Sequence, residues 1–371
     1  MDKHSFFPKK KKPKRIIFAI VVAVLAVLLV FLLYSLNIIK YGSVATKVIF
    51  DKSITFKKNN DRINILLLGI GGGKHQGPNL SDTIIFASID KKDKKVTLIS
   101  IPRDFWVPEL DAKMNTAYAF GQKQEKGGGL ALAKATVENI IGQPVDYGIR
   151  LDFAGFVKAV DIVGGIDVEV EQTLDDLEYP IPGKEDDPCD QSDEDLEKLA
   201  TAESQLEAFP CRYEHIHFDA GSTHMNGETA LQFVRSRHSE GQEGTDFARS
   251  KRQEKVIRAF KEKAFSIGTF LNPIKVVSLL DVFEGSIDTD ITDEEIDDFI
   301  KLTQKMENAA VQSVILGVGD DRQGREGLLV NPLITEEFRN QWVLIPRAGN
   351  GNYKEIQEYI DCESKIGNCT F

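Results

Sequence analysis

Neither a C-x-x-C pair nor an H-E-x-x-H stretch occurs in the 371 residues. The first absence leaves zinc ribbons and dithiol redox chemistry without their usual spacing. The second removes the helical zinc-hydrolase site. His215, His217, His224 and His238 lack its paired helical spacing and are set aside as metal ligands. "GGGK", Gly71–Lys74, is followed by histidine rather than Ser or Thr, so it is not a P-loop; its glycines can still bring backbone N–H groups near a phosphate. No internal repeat and no Gly/Ser-rich linker marks a second domain.

Charge is missing altogether from one stretch. "IIFAIVVAVLAVLLVFLLYSLNII", Ile16–Ile39, carries no charged side chain. A helix crosses a bilayer with roughly 20 apolar residues, so this run spans one with some tilt. A cleaved secretory signal is the competing reading, but its apolar core runs to only about 7–15 residues. Lys9–Lys12, Lys14 and Arg15 precede the run, which places the amino terminus in the cytoplasm. The expected organisation is a cytoplasmic basic tail (1–15), a transmembrane helix (16–39), a stalk (40–60) and one extracytoplasmic domain (61–371). This makes a single-pass protein of the cell membrane.

The whole chain has a formal net charge of −11. Its first forty residues hold eight of the 46 Lys and Arg and one of the 57 Asp and Glu, so the exported part is near −18. No nucleic acid is expected to bind such a surface. Topology and contact with anionic membrane lipid account for the basic tail. Outside the cell the four cysteines are free to form structural disulfides, and the local pairs Cys189–Cys211 and Cys362–Cys369 are preferred.

After the stalk, "RINILLLG", "DTIIFASID" and "KVTLISI" read as strands, the last two joined by polar "KKDKK" as an antiparallel hairpin. A turn centred between Lys92 and Asp93 pairs residues whose numbers sum to about 185. Asp82 then faces Arg103 at one end of the sheet, with Asp104 adjacent. "LDFAGFVKAVDIVGG" reads as an amphipathic helix with Asp152 as N-cap and Gly164 as its stop. Residues 175–212 read as an acidic surface insertion. Strands mixed with such helices indicate a layered α/β domain.

An acidic chain that gathers Arg235, Arg237, Arg249, Lys251, Arg252, Lys255 and Arg258 in one short span requires a reason. A helix opening near Thr245 or Asp246 has Val256, Ile257 and Phe260 as its apolar stripe. Stepping back by three or four reaches Gln253, Arg252 and Arg249. Arg249 and Gln253 extend the buried stripe, while Lys251, Lys255 and Arg258 are solvated. Arg235 and Arg237, two apart, point to one side if that stretch is extended. Guanidinium groups around a helix amino terminus suit phosphate, and a diphosphate better still. Asp82 beside Arg103 adds a carboxylate for magnesium. The competing reading is a network of structural ion pairs using Glu240, Glu243 and Asp246.

"NILLLG", "SDTIIFASID", "VTLISIPRD", "NTAYAFG", "LDFAGFVKAVDIVGGIDV", "HMNGETALQFVRSRH" and "DFARSKRQEKVI" together resemble the LytR-CpsA-Psr proteins over roughly residues 62–262. The resemblance implies a mixed β-sheet sandwiched between α-helices. It implies a phosphotransferase that moves a glycopolymer from a polyprenyl diphosphate carrier onto peptidoglycan with Mg2+. It carries Asp82, Arg103, Arg235, Arg237 and Arg249 over as the catalytic set, with Asp104 beside them and Asp246 at a further acidic position. Arg103, Arg235, Arg237, Arg249, Arg252 and Gln253 are then expected to bind the diphosphate, and Asp82 the metal. One departure stands out: many members have an aspartate just after "LLLG", where this chain reads "GIGGGKHQGPN". A regulator that binds polyprenyl diphosphate without chemistry, and a lipid-diphosphate hydrolase, are the alternatives.

Overall fold

The structure is a computed structural model. It describes residues 61–365 except 74–76, 185, 191–203, 240, 265, most of 267–285, 307–308 and 320–326, together with Phe56 and Cys369; the side chains of 205, 242, 246 and 247 are outside that set. The expected membrane run 16–39 lies outside the described residues. Among those described, no helix is long and apolar enough to cross a membrane.

Among the described residues, ten strands and seven α-helices build the main sheet, two of the small sheets and the layers packed on them. The strands are β1 (Arg62–Ile70), β2 (Ser81–Asp90), β3 (Lys95–Ser100), β4 (Tyr147–Asp152), β5 (Ile166–Val170), β6 (Leu174–Pro180), β7 (Tyr213–Phe218), β8 (Gly221–Met225), β9 (Ile287–Thr289) and β10 (Ala310–Ile315). The helices are α1 (Ala117–Gln124), α2 (Gly128–Ile141), α3 (Phe153–Val163), α4 (Gly227–Arg235), α5 (Asp246–Ala264), α6 (Ile296–Lys305) and α7 (Lys354–Lys365). Glu294–Lys301 belongs to a separate compact unit with residues outside the described set; Phe56–Asp293 and Leu302–Phe371 form the other.

The main sheet has the order β9-β4-β1-β2-β3-β10. β1 runs antiparallel to β2 and parallel to β4, and β10 runs parallel to β3, so the sheet is mixed. The β2–β3 hairpin has the expected register: Ile85 pairs with Ser100 and Asp90 with Lys95. Its turn is held by Asp90, which accepts from the N–H groups of Lys92 and Asp93, both at 2.9 Å.

Alternation along the strands sorts the two faces. Leu66, Leu68, Ile84, Phe86, Ile99 and Ile101 meet apolar residues of α1, α2 and α7 in one core. Burying each such side chain contributes roughly 1.5–3 kcal/mol. Residues of opposite parity face α5: Gln253 Nε2 donates to Thr83 Oγ1 (3.2 Å), and Ser313 Oγ donates to Glu254 (2.5 Å). The sheet therefore lies between helices, as expected.

A second core joins α3, α4 and α5 to the two small sheets, β5–β8 and β6–β7. α3 starts and stops as read from sequence. Asp152 accepts from Gly155 N (2.7 Å), and Gly164 ends the helix at φ 93°. α4 packs against α3 so closely that a Cβ on Gly227 would sit 2.2 Å from the Val157 carbonyl oxygen, so only glycine fits there. Both expected disulfides are present, Cys189–Cys211 and Cys362–Cys369.

Candidate functional site

β1, β3 and β4 end at one edge of the main sheet, and β2 begins there. Ligands of open α/β sheets gather at such carboxyl-terminal strand ends. At this edge Arg103 reaches back across the hairpin to Asp82, with Nη1 2.6 Å from Oδ1. Its Nε lies 3.4 Å from Asp104, which also receives Lys113 Nζ at 2.7 Å. Burial opposes the Arg103 charge, but Asp82 and Asp104 outweigh it and raise its pKa. Both ends of the Asp82–Arg103 pair stay about a third exposed (36% and 31%), so an incoming anion can reach them.

Helix α5 is tied to the same edge. Its N-cap is Thr245, whose Oγ1 accepts from Ala248 N (3.1 Å). Gln253 bonds Thr83, the residue after Asp82. Arg249 lies one turn nearer the helix start on the same side as Gln253, at partial exposure.

Arg235 comes from the end of α4. Its guanidinium sits 4.5 Å over the ring of Phe153, the residue after β4, and Nη1 donates to Tyr179 Oη at 3.3 Å. Arg237 follows in the segment beyond the helix. The condition that residues 235–237 be extended is not met throughout: Arg235 is the last helical residue, and the chain turns out at Ser236 (φ −49°, ψ 135°). The Asp246 side chain lies outside the described residues.

Arg252 is placed differently from expectation. It is 3% exposed and donates to the carbonyls of Phe233 (2.9 Å), Ser236 (2.7 Å) and Glu243 (2.7 Å), and to the Glu243 carboxylate (2.9 Å). Burial lowers its pKa, and Glu243 and Asp176 oppose that shift. Its donors are committed to protein acceptors, so it is a structural clamp rather than a diphosphate ligand. The physical reason is the stripe of α5. Ala248, Arg252, Val256 and Ala259 are its buried positions, while Ile257 is 37% exposed. Arg249 and Gln253 flank that stripe rather than extending it.

Asp176 completes the clamp, and sequence reasoning missed it. Fully buried, it accepts from Ser236 Oγ (2.6 Å), Arg237 N (3.1 Å) and His238 N (3.2 Å). A buried anion thus holds N–H groups of the "RSRH" segment, while a buried cation holds its Ser236 carbonyl and those of Phe233 and Glu243 on either side. The start of the expected surface insertion is in fact β6, with Leu174, Asp176 and Tyr179 all buried. The alternation in "LDDLEYP" was the available signal. Trp106 also proves to be core, 2% exposed and edge-on to Phe338 at 5.6 Å.

The glycine loop after β1 bears on the departure noted in the sequence. Gly72 has φ +67°, and a Cβ there would fall 2.8 Å from the Asp152 Cβ. Asp152 stands opposite Ile70 across the β1–β4 pair, so an acid borders the loop that follows "LLLG" in this chain. A separate open groove beside α5 is lined by Glu171, Lys251, Glu254, Lys255 and Arg258. Lys255 and Arg258 are matched there by Glu171 and Glu254, which makes it a poor anion site.

The model of the LytR_cpsA_psr family matches residues 36–341. The chain belongs to the LytR_cpsA_psr family. Among curated relatives, the polyisoprenyl-teichoic acid–peptidoglycan teichoic acid transferase TagU of Bacillus cereus is 29% identical over 247 residues. That match covers 65% of this chain and 64% of TagU. The corresponding transferase TagV of Bacillus subtilis is 29% identical over 235 residues, covering 62% of this chain and 49% of TagV. The chain thus spans less than two thirds of the length of these relatives. The crystal structure of B. subtilis TagV superposes with a TM-score of 0.52 at 23% identity, covering 85% of this chain and 100% of that one. TagT bound to LIIa-WTA gives 0.52 at 20% identity, over 85% and 96%. These likenesses establish the LytR_cpsA_psr fold.

Proposed function

We propose that this protein is a membrane-anchored phosphotransferase that moves a glycopolymer from a polyprenyl diphosphate carrier onto peptidoglycan. The observation that carries the proposal is the sheet edge where Arg103, about a third exposed, is held between Asp82 and Asp104, with Gln253 and Arg235 tied to the ends of the neighbouring strands. The names of the relatives, transferases of teichoic acid to peptidoglycan, support the substrate class. Residues 16–39 would anchor the chain with its main part outside, in keeping with its two disulfides.

In this scheme Arg103, Arg235, Arg237 and Arg249 neutralise the diphosphate oxygens. A hydroxyl of the wall glycan attacks the phosphorus that bears the glycopolymer. The new oxygen–phosphorus bond forms as the bond to the bridging oxygen breaks, and polyprenyl phosphate leaves with the electron pair. The hydroxyl proton passes to the departing phosphate, and the attacking group is oriented by Asp82. Asp82 has one cationic partner and is the more exposed acid, whereas Asp104 is shared between Arg103 and Lys113. Phosphoryl transfer draws mainly on such positioning and charge stabilisation.

The donor set fits magnesium held in the manner usual for that ion, by one carboxylate and the substrate's own phosphates. Asp82 offers the oxygen that Arg103 does not use, and magnesium bound there would add charge neutralisation at the phosphates.

The test is a purified mixture of the full chain, a polyprenyl-diphosphate-linked oligosaccharide and peptidoglycan fragments. Wall-linked oligosaccharide and free polyprenyl phosphate should appear in equal amounts and fall together in Arg103→Ala. Release of the glycan into water alone would make the protein a hydrolase. Binding without any release would make it a carrier-binding regulator.

A further inference from the structure

We propose that Asp175, His215 and His217 form a second metal site, for a borderline transition-metal ion of the Zn2+ class, on the exposed face of the two-stranded β6–β7 sheet. This does not rest on the transfer reaction proposed above.

His215 and His217 are two apart on β7, so both rings leave the same face of the strand. Asp175 is the direct cross-strand partner of His217. Its Oδ1 lies 2.6 Å from His215 Nε2 and 2.8 Å from His217 Nδ1. Two imidazole nitrogens and one carboxylate oxygen therefore meet at a single point. Zinc bonds of about 2.0–2.2 Å place neighbouring tetrahedral ligand atoms ~3.3 Å apart, so each imidazole nitrogen has to move from Asp175 by roughly half an ångström or a little more. All three side chains are about half exposed, which gives the ion access and leaves its fourth position to water.

A further carboxylate supports the assignment. The other ring nitrogen of His217, Nε2, lies 3.2 Å from Asp219 Oδ1. Ligating histidines commonly carry such an outer carboxylate, which fixes the ring and makes it a better donor. The nitrogen-rich set argues against magnesium or calcium, which take oxygen ligands. Spacing measured against a helix hides this site, because the pair is spaced for a strand. The site also touches the proposed diphosphate arm: Asp175 is bonded through its N–H to Ser239 Oγ (3.2 Å), and its neighbour Asp176 holds Ser236–His238.

The experiment titrates the full chain, purified in detergent without a histidine tag and stripped with EDTA, with Zn2+ against a chromophoric chelator. Co2+ absorption serves as a second probe. One equivalent of Zn2+ should bind in the micromolar range or tighter, and Co2+ should give the intense visible bands of a tetrahedral site. His217→Gln and Asp175→Asn should each weaken Zn2+ at least tenfold and abolish those bands with circular dichroism unchanged. Asp219→Ala should weaken it about tenfold. Lys255→Ala should leave Zn2+ binding unchanged. Absence of a stoichiometric site, or full binding by a His215→Gln/His217→Gln chain, would overturn the proposal and leave a plain imidazole–carboxylate cluster.

Discussion

Arg103 and Arg252 are both arginines near acids, and the molecule uses them in opposite ways. Arg252 is buried, and four of its hydrogen bonds end on protein oxygen atoms, three of them backbone carbonyls. Arg103 is a third exposed at a sheet edge and is paired only with carboxylates. A guanidinium with four of its five N–H donors on protein oxygens in the interior has little to give a ligand, and removing it strands those carbonyls. One held by carboxylates beside solvent can turn to an arriving phosphate, while the acids stay to bind metal or orient the attacking group. Arginine count therefore says less about an anion site than what each guanidinium already touches.

The contrast is broken most directly at Arg252. Arg252→Ala should destabilise the fold by roughly 3–5 kcal/mol, because a buried partner of Asp176 and Glu243 is lost. Chemical denaturation measures this, and any fall in transfer should track the unfolded fraction. Arg103→Ala should do the reverse. Transfer should drop about 10²–10³-fold, as when one charge-stabilising donor is removed, while stability changes by about 1 kcal/mol or less. A variant that lost both together would erase the distinction.

Asp176→Ala sharpens the picture from the anion side. It should cost roughly 1–3 kcal/mol by leaving Ser236 Oγ and two backbone N–H groups unpaired. It should also raise the KM for the carrier, because the Arg237 segment loosens. A melting curve paired with steady-state kinetics on the same preparation reads both effects.

The smallest effect is expected at the far end of the hairpin. Burial tends to raise the Asp90 pKa, but the N–H groups of Asp93 and Lys92 and the charge of Arg62 more than offset it, so the folded value is lowered. A lowered carboxyl pKa adds stability above the unfolded value, near 3.9, that is lost as pH falls through the folded value. Asp90→Asn should therefore cost less than about 1 kcal/mol at pH 7 and nothing below the folded pKa, with transfer at neutral pH unchanged. Denaturation at two pH values checks it.

The hairpin was readable because a polar turn between two apolar runs fixes the register, and the register alone brings Asp82 to Arg103. The caps of α3 were readable because both signals are local. The inward face of α5 was not. Arg249, Arg252 and Gln253 all lie within one turn or so of the apolar stripe, and only packing against α4 decides which is buried. Asp176 was hidden for a related reason. In a run of acids each one looks solvated, and what buries this one is a segment sixty residues away. His215 and His217 needed the strand assignment before their spacing had meaning.

The most direct measurement is binding of a soluble polyprenyl diphosphate analogue to the full chain and to Arg103→Ala and Lys255→Ala, by calorimetry with magnesium present. A diphosphate site at the sheet edge predicts one bound analogue per chain, an affinity at least tenfold weaker in Arg103→Ala, and no change in Lys255→Ala, all at an unaltered melting temperature. Equal affinity in wild type and Arg103→Ala would contradict it.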